Sequence, residues 1–61
     1  MAMKIDTARV LASMLKTTAM TVAGIQRIAT FGGARQSTLN ELQRLCALMR
    51  DVADVIEADH E

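Results

Sequence analysis

The sequence predicts an all-α protein, a two-helix antiparallel hairpin with helices at about residues 6–31 and 38–58. Three observations lead to this fold class. The 61-residue chain has no proline, and its apolar residues, 51% of the total, are mainly Ala, Leu, Met, Val and Ile, which favour helices. Apolar residues recur at steps of three and four along both segments. The adjacent glycines Gly32 and Gly33 separate those segments, and a short connection favours an antiparallel pair.

The first helix is predicted to begin at Asp6, because aspartate is a favoured N-cap and no helix breaker follows before Gly32. An apolar stripe of three- and four-residue steps runs along it through Leu11, Leu15, Val22 and Ile25. The opposite side of the helix carries Met20, Ala23 and Gly24 at its centre, where an exposed helix would normally be charged. We therefore expect the middle of this helix to be covered by more than one partner helix.

The corner between the helices reads TFGGARQST at residues 30–38. Gly32 is expected to end the first helix and Gly33 to reverse the chain, since glycine is the usual residue just past a helix end. Phe31, the only aromatic residue, is expected to close the hydrophobic end of the bundle. The alternative, a phosphate-binding loop, is weaker because the established glycine motifs follow a strand and have longer, fixed spacing.

The second helix is predicted to begin at Thr38, which forms a capping-box pattern with Glu41 three residues later. A regular apolar stripe follows, and the opposite face is polar. Arg50 and Asp54 on that face are spaced as an ion pair across one helical turn. The stripe consists of Leu42, Leu45, Met49, Val52 and Ile56.

Residues 1–61 are predicted to form one helical-hairpin domain that is too small to be stable alone, since a core of this size gives only ~3–5 kcal/mol. Cys46 is the only cysteine, so no disulfide can form within one chain. We therefore expect a homo-oligomer, either a dimeric four-helix bundle or a larger assembly, and the lone cysteine fits a cytoplasmic location. The predicted oligomer core is Leu11, Leu15, Val22, Ile25, Leu42, Leu45, Met49, Val52 and Ile56.

The charges are polarised although the formal net charge is zero. Residues 1–50 hold every Lys and Arg, whereas residues 51–61 hold five acids and neither basic residue. The loop end carries Arg27, Arg35 and Arg44. One hypothesis is that two hairpins pair in opposite directions, so that the basic loop of one meets the acidic end of the other; the alternative is that these are simply solvated charges.

Catalytic chemistry is not predicted, because no nucleophile–base pair or cofactor motif is present. Cys46 is interpreted as a small buried apolar residue, since His60 is about 20 Å further along a helix. The acidic end, which includes Asp54 and Glu57, is interpreted as a solubilising tail rather than a metal site. We therefore expect no enzyme activity, no cofactor and no bound metal.

The function class predicted by these features is a small protein-binding regulator or adaptor that acts as a homo-oligomer on a larger protein. Regulators of this kind include small proteins encoded by bacteria and phages. Five methionines favour an adaptable interface. Two alternatives stay open: a nucleic-acid-binding dimer that uses Arg27, Arg35 and Arg44, and an amphipathic protein on a membrane surface. A spanning helix is not expected. The predicted partner contacts are Met20, Ala23, Arg27, Arg35 and Arg44.

Overall fold

A computed structural model describes residues 2–60 and contains two antiparallel α-helices, α1 (Ile5–Phe31) and α2 (Gln36–Ala58). The predicted all-α hairpin is therefore confirmed. The molecule is a narrow rod, 46 × 15 × 10 Å along its principal axes. Neither helix is apolar over a long enough stretch to cross a lipid bilayer.

Helix α1 begins at Ile5, one residue before the predicted start, with Lys4 as an N-cap that makes no side-chain capping bond. The backbone N–H of Met3 donates to the carbonyl of Asp59 at 3.1 Å. This bond holds the entering chain against the end of α2, and the helix starts directly after it. Asp6 is therefore not the N-cap but lies in the first turn, where its negative charge interacts favourably with the positive end of the helix dipole.

Helix α2 begins at Gln36, so the capping box predicted at Thr38 is wrong. Arg35 is the N-cap, with extended backbone angles and no side-chain capping bond. Its carbonyl already accepts from the N–H of Leu39 at 3.1 Å, which places Thr38 inside the first turn. The turn before it needs only four residues, so the chain enters the helix earlier than the capping pattern indicates.

The corner is a Schellman turn, the helix ending in which glycine adopts a left-handed conformation. Gly32 ends α1 and Gly33 has φ 81°, which confirms both predicted roles. The N–H of Gly33 donates to the Thr30 carbonyl at 3.2 Å, and that of Ala34 to the Ala29 carbonyl at 2.9 Å. Since these N–H groups already have carbonyl partners, they are not directed at an anion.

Replacing Gly33 with alanine is expected to destabilise the protein by about 1–2 kcal/mol, because a side chain is strained at positive φ. Gly24 provides a matched control: it lies within α1, and an added Cβ would meet nothing within 4 Å. Gly24→Ala should therefore stabilise the protein by about 1 kcal/mol. Thermal unfolding at equal protein concentrations measures both, and equal effects of the two substitutions would contradict this account of the turn.

An inner seam of small residues joins α1 and α2. The thiol of Cys46 donates to the carbonyl of Ala19 at 3.4 Å, so Cys46 of α2 lies at the same height along the hairpin as Ala19 of α1. Seven residues away in opposite directions lie Ala12 and Ala53, which are both completely buried. Small side chains at this spacing let the two helix backbones approach closely, in the manner of a coiled-coil seam.

The same seven-residue register continues toward the loop. Gln26 lies seven residues beyond Ala19, and its side-chain amide donates to the carbonyl of Leu39 at 3.5 Å. Leu39 in turn lies seven residues before Cys46. The inner seam therefore repeats every seven residues, which is the period expected of a left-handed helix pair.

The buried core of the hairpin is consequently small. It consists of Ala8, Ala12, Ala19, Val22, Cys46 and Ala53, and among the described residues no large side chain is fully buried. The radius of gyration is 14.1 Å, whereas a compact domain of this length would have about 10.5 Å. The hairpin thus has well-formed helices but lacks the compact core that normally stabilises a domain.

Candidate interaction surfaces

One face of the hairpin is apolar and exposed. On α1 the positions 11, 14, 18, 21, 25 and 28 follow alternating steps of three and four, and on α2 the positions 45, 48, 52 and 55 do the same. The apolar side chains at these positions are 38–74% exposed. We call them the apolar face; they are Leu11, Met14, Ile25, Ile28, Leu45, Leu48, Val52 and Val55.

Both stripes of the apolar face point to the same side of the hairpin. Each position lies directly before a position of the inner seam, as Leu11 does before Ala12 and Val52 before Ala53. Because the helices are antiparallel, the same rotation away from the seam on each helix leads to the same side of the pair. The positions directly after the seam lie on the opposite side, which includes the ion pair between Lys16 and Glu57.

Two threonines interrupt the α1 stripe at its centre. The hydroxyl of Thr18 donates to the carbonyl of Met14 at 2.8 Å, and that of Thr21 donates to the carbonyl of Thr17 at 3.2 Å. Threonine hydroxyls commonly bond back to the preceding helical turn in this way. Their polar groups therefore already have partners, so this part of the face can be covered without leaving a donor unsatisfied.

The residues predicted as the oligomer core divide between two surfaces. One group lies along the inner seam, where Val22 is buried and the others are partly buried: Leu15, Val22, Leu42, Met49 and Ile56. The other group lies on the apolar face and is exposed in the hairpin: Leu11, Ile25, Leu45 and Val52. The predicted single stripe therefore corresponds to two adjacent stripes on each helix.

The opposite face is polar and carries an ion pair between the helices. The Nζ atom of Lys16 lies 2.6 Å from Oε1 of Glu57. This hydrogen bond and the nearby carboxylate charge raise the pKa of Lys16 above its ordinary value of 10.5. Since both side chains are about half exposed, the pair contributes little to stability. Its main effect is to make this face charged where the other is apolar.

The ion pairs differ from those expected from sequence spacing. Within residues 2–60 they are Lys16–Glu57 and Arg44–Glu41, the second at 3.4 Å. The predicted Arg50–Asp54 pair is therefore wrong. Exposed ion pairs gain little energy and lose side-chain entropy, so correct spacing alone does not guarantee that one forms.

At the loop end an aromatic side chain projects into solvent. Phe31 is 91% exposed, so the expectation that it closes the hydrophobic end is not met within the hairpin. Arg27 lies one helical turn before it, and Arg35 precedes α2. Neither arginine has an acidic partner within 4 Å in the described part of the chain. We call Arg27, Phe31 and Arg35 the loop-end patch.

The structure separates the other predicted partner contacts. Arg44 pairs with Glu41 on α2, whereas Met20 lies on the charged side of α1 and is 70% exposed. Met20 borders a shallow cleft of about 340 Å³ that is also lined by Lys16, Arg50 and Asp54. Ala23 is partly buried and packs against the small core. Of the five predicted contacts, only Arg27 and Arg35 lie within four residues of the exposed Phe31.

The groups that could carry chemistry are dispersed. Cys46 is buried in the inner seam, as its interpretation as a small apolar residue requires. At the open end, Ile5, Ala8, Arg9, Glu57 and His60 line a cleft of about 360 Å³. Among residues 2–60, no three His, Cys, Asp or Glu side chains are grouped so that they could hold a metal ion.

Comparison with known proteins identifies no relative. No protein-family model matches the chain, and no curated protein or solved structure is significantly similar to it. Its function must therefore be inferred from its own surfaces, of which the apolar face and the loop-end patch are the most distinctive.

Proposed function

We propose that the protein is a non-enzymatic, cytoplasmic regulator or adaptor that works as a homodimer and binds a larger protein. In this proposal two hairpins pair through their apolar faces into a four-helix bundle. The observation that carries it is the alternating three- and four-residue spacing of exposed apolar residues on both helices. That spacing is the pattern by which helices pack in a bundle core.

The exposed surface area supports an interface of standard size on each hairpin. A folded protein of 6.6 kDa typically exposes ~3,900 Å², whereas this chain exposes 4708 Å². The excess of about 800 Å² equals what one partner contributes to a standard protein interface. Covering a half-exposed aliphatic side chain returns about 1 kcal/mol, so the apolar face offers on the order of 8 kcal/mol per protomer.

The dimensions also support pairing side by side rather than end to end. A compact domain of twice this length would have a radius of gyration of about 13.7 Å, close to the 14.1 Å of one hairpin. One hairpin is therefore already as long as the bundle needs to be. A second copy on the apolar face would add thickness across the narrow dimensions of 15 and 10 Å.

A binding role accounts for what the bundle leaves exposed. Pairing through the apolar face leaves the charged face and the loop end accessible, and the loop end carries Arg27, Phe31 and Arg35. Aromatic and arginine side chains are enriched at protein interfaces. A regulator of this kind acts by binding alone and needs no catalytic group or cofactor.

Nucleic-acid binding is the second candidate, because Phe31 is exposed beside Arg27 and Arg35. Bases stack on such aromatic side chains, and arginines neutralise phosphates. However, each chain offers few unpaired cations at this end, whereas nucleic-acid-binding proteins commonly make about 6–10 phosphate contacts. Protein binding is therefore the stronger proposal.

The proposal is tested by affinity capture of the tagged protein from the cells that encode it. We expect one discrete larger protein to be recovered, and the purified partner should rebind the dimer with a defined stoichiometry and change its own activity as a result. Recovery of this chain alone, or release of the captured material by nuclease treatment, would contradict the proposal and favour self-assembly or nucleic-acid binding respectively.

A further inference from the structure

We propose that the loop-end patch is the site that binds the partner, and that the partner presents an acidic segment with an apolar anchor. This inference rests on the proposed function, since it specifies where a protein-binding dimer makes its contact. Three features carry it: the exposure of Phe31, the unpaired arginines beside it and the position of the patch outside the apolar face.

Phe31 is the most exposed of the large apolar side chains in the described region. The Schellman turn that follows it bonds the N–H groups of Gly32, Gly33 and Ala34 to carbonyls in the last turns of α1. The backbone around the ring is thus well fixed, and a rigid aromatic group loses little entropy when it is covered. Phe31 therefore has the properties of an anchor at an interface.

The charges around Phe31 determine the chemistry of the partner. Residues 24–47 contain Arg27, Arg35 and Arg44 but only one acid, Glu41. Because Glu41 pairs with Arg44 at 3.4 Å, the positive charges of Arg27 and Arg35 remain uncompensated. A segment with carboxylates on either side of an apolar residue complements this arrangement, and arginine binds carboxylates with two parallel hydrogen bonds.

A second copy of the chain is a poorer occupant of this patch. Arg27 lies directly after an inner-seam position and so on the charged side of α1, away from the apolar face. Phe31 lies on the part of α1 that points away from the seam. Since neither residue is at an apolar-face position, we expect pairing through that face to leave the patch accessible. The acidic residues Asp51, Asp54 and Glu57 likewise lie outside the apolar face of α2. We therefore do not expect pairing through that face to bring them to the loop-end patch of the other copy.

The test uses a defined probe, a fluorescein-labelled amphipathic helical peptide with a leucine stripe bordered by glutamates. Its matched control has lysines in place of the glutamates, and a single-stranded oligothymidine serves as the nucleic-acid probe. Fluorescence anisotropy against wild-type protein should show binding of the acidic peptide and weaker binding, by about tenfold or more, of the basic peptide and the oligonucleotide. Affinity for the acidic peptide should also fall as salt is raised.

Phe31→Ala and Arg35→Glu should each weaken binding of the acidic peptide about tenfold or more, as is typical of an interface anchor. Met20→Ala and Arg9→Glu are matched controls, because they remove an exposed apolar group and a cation from elsewhere on α1. Both controls should bind like wild type. Sedimentation equilibrium on every variant should give the same dimer mass, since none of these residues belongs to the apolar face.

The possible outcomes separate this inference from the proposed function. A dimer that binds the acidic peptide without loss in Phe31→Ala and Arg35→Glu would overturn the loop-end patch and leave the dimer intact. Stronger binding of the oligonucleotide than of the acidic peptide would make the patch a nucleic-acid site and overturn the inference. Loss of the dimer in Phe31→Ala would place Phe31 in the self-interface, which also contradicts it. A monomeric wild type would instead contradict the proposed function.

Discussion

Replacing Ile25 with aspartate is expected to dissociate the dimer, and this is the largest effect that the account predicts for a single substitution. Ile25 is 48% exposed in the hairpin and belongs to the α1 stripe of the apolar face. Pairing would bury the new carboxylate of each protomer without a partner, at a cost of several kcal/mol. The dissociation constant should rise about a hundredfold or more. Sedimentation equilibrium measures this change, and circular dichroism should show the helices melting at a lower temperature.

Met20→Asp is the control for this substitution. Met20 lies on the same helix and is more exposed than Ile25, but it is on the charged side of the hairpin. If exposure alone determined the outcome, both substitutions would be harmless. If helix propensity determined it, both would weaken the protein to a similar extent. Only an interface on the apolar face predicts a large effect of Ile25→Asp and a small effect of Met20→Asp. An Ile25→Asp variant that stays dimeric and melts at an unchanged temperature would therefore contradict the account.

Replacing Ala19 with leucine should destabilise the hairpin itself. Ala19 is completely buried, and its carbonyl accepts the thiol hydrogen bond of Cys46 at 3.4 Å. A larger side chain would push the helices apart at the level where Cys46 of α2 contacts Ala19. Overpacking of this kind typically costs about 1–3 kcal/mol. Thermal unfolding at a fixed protein concentration should show the lower stability.

Ala47→Leu is the matched control for the seam, because Ala47 is one residue from Cys46 but exposed on α2. Leucine and alanine are both strong helix formers, so Ala47→Leu should leave the melting temperature nearly unchanged. Equal losses for Ala19→Leu and Ala47→Leu would show that the seam of small residues does not join the helices.

The hairpin could be predicted from the sequence because its signals are local. Two long apolar periodicities on either side of Gly32 and Gly33 are sufficient to place the helices and the turn. The helix starts were less accurate, since Asp6 and Thr38 have the residue types of N-caps but lie inside the first turns. There a tertiary contact and the compact turn determined the boundary rather than the side chain.

The division of the apolar residues was harder to predict. The predicted stripe took Leu15 and Val22 from the inner seam and Leu11 and Ile25 from the apolar face. Each helix has two stripes that are offset by a single residue, and a single stripe drawn between them fits the sequence almost as well. The missing signal was residue size: small residues such as Ala12 mark the close contact, and large ones mark the exposed face.

Exposure of Phe31 could not be anticipated from the sequence either. An isolated aromatic residue at a helix end is usually interpreted as part of the core, because large apolar side chains are mostly buried. Here position 31 lies outside the inner seam, so α2 does not cover the ring. The Schellman turn ends α1 directly after Phe31, so no further helical turn covers it either. The arginines were identified as candidate contacts, but only the structure shows that Phe31, four residues from both Arg27 and Arg35, is exposed.

The central claim is that the hairpin is completed by a second copy through the apolar face, and the mass of the free protein in solution tests it most directly. Sedimentation equilibrium at micromolar concentration should give about twice the chain mass of 6.6 kDa. The helical signal should decrease on dilution together with that mass. A particle of 6.6 kDa that stays helical and melts cooperatively at the same concentration would contradict the claim.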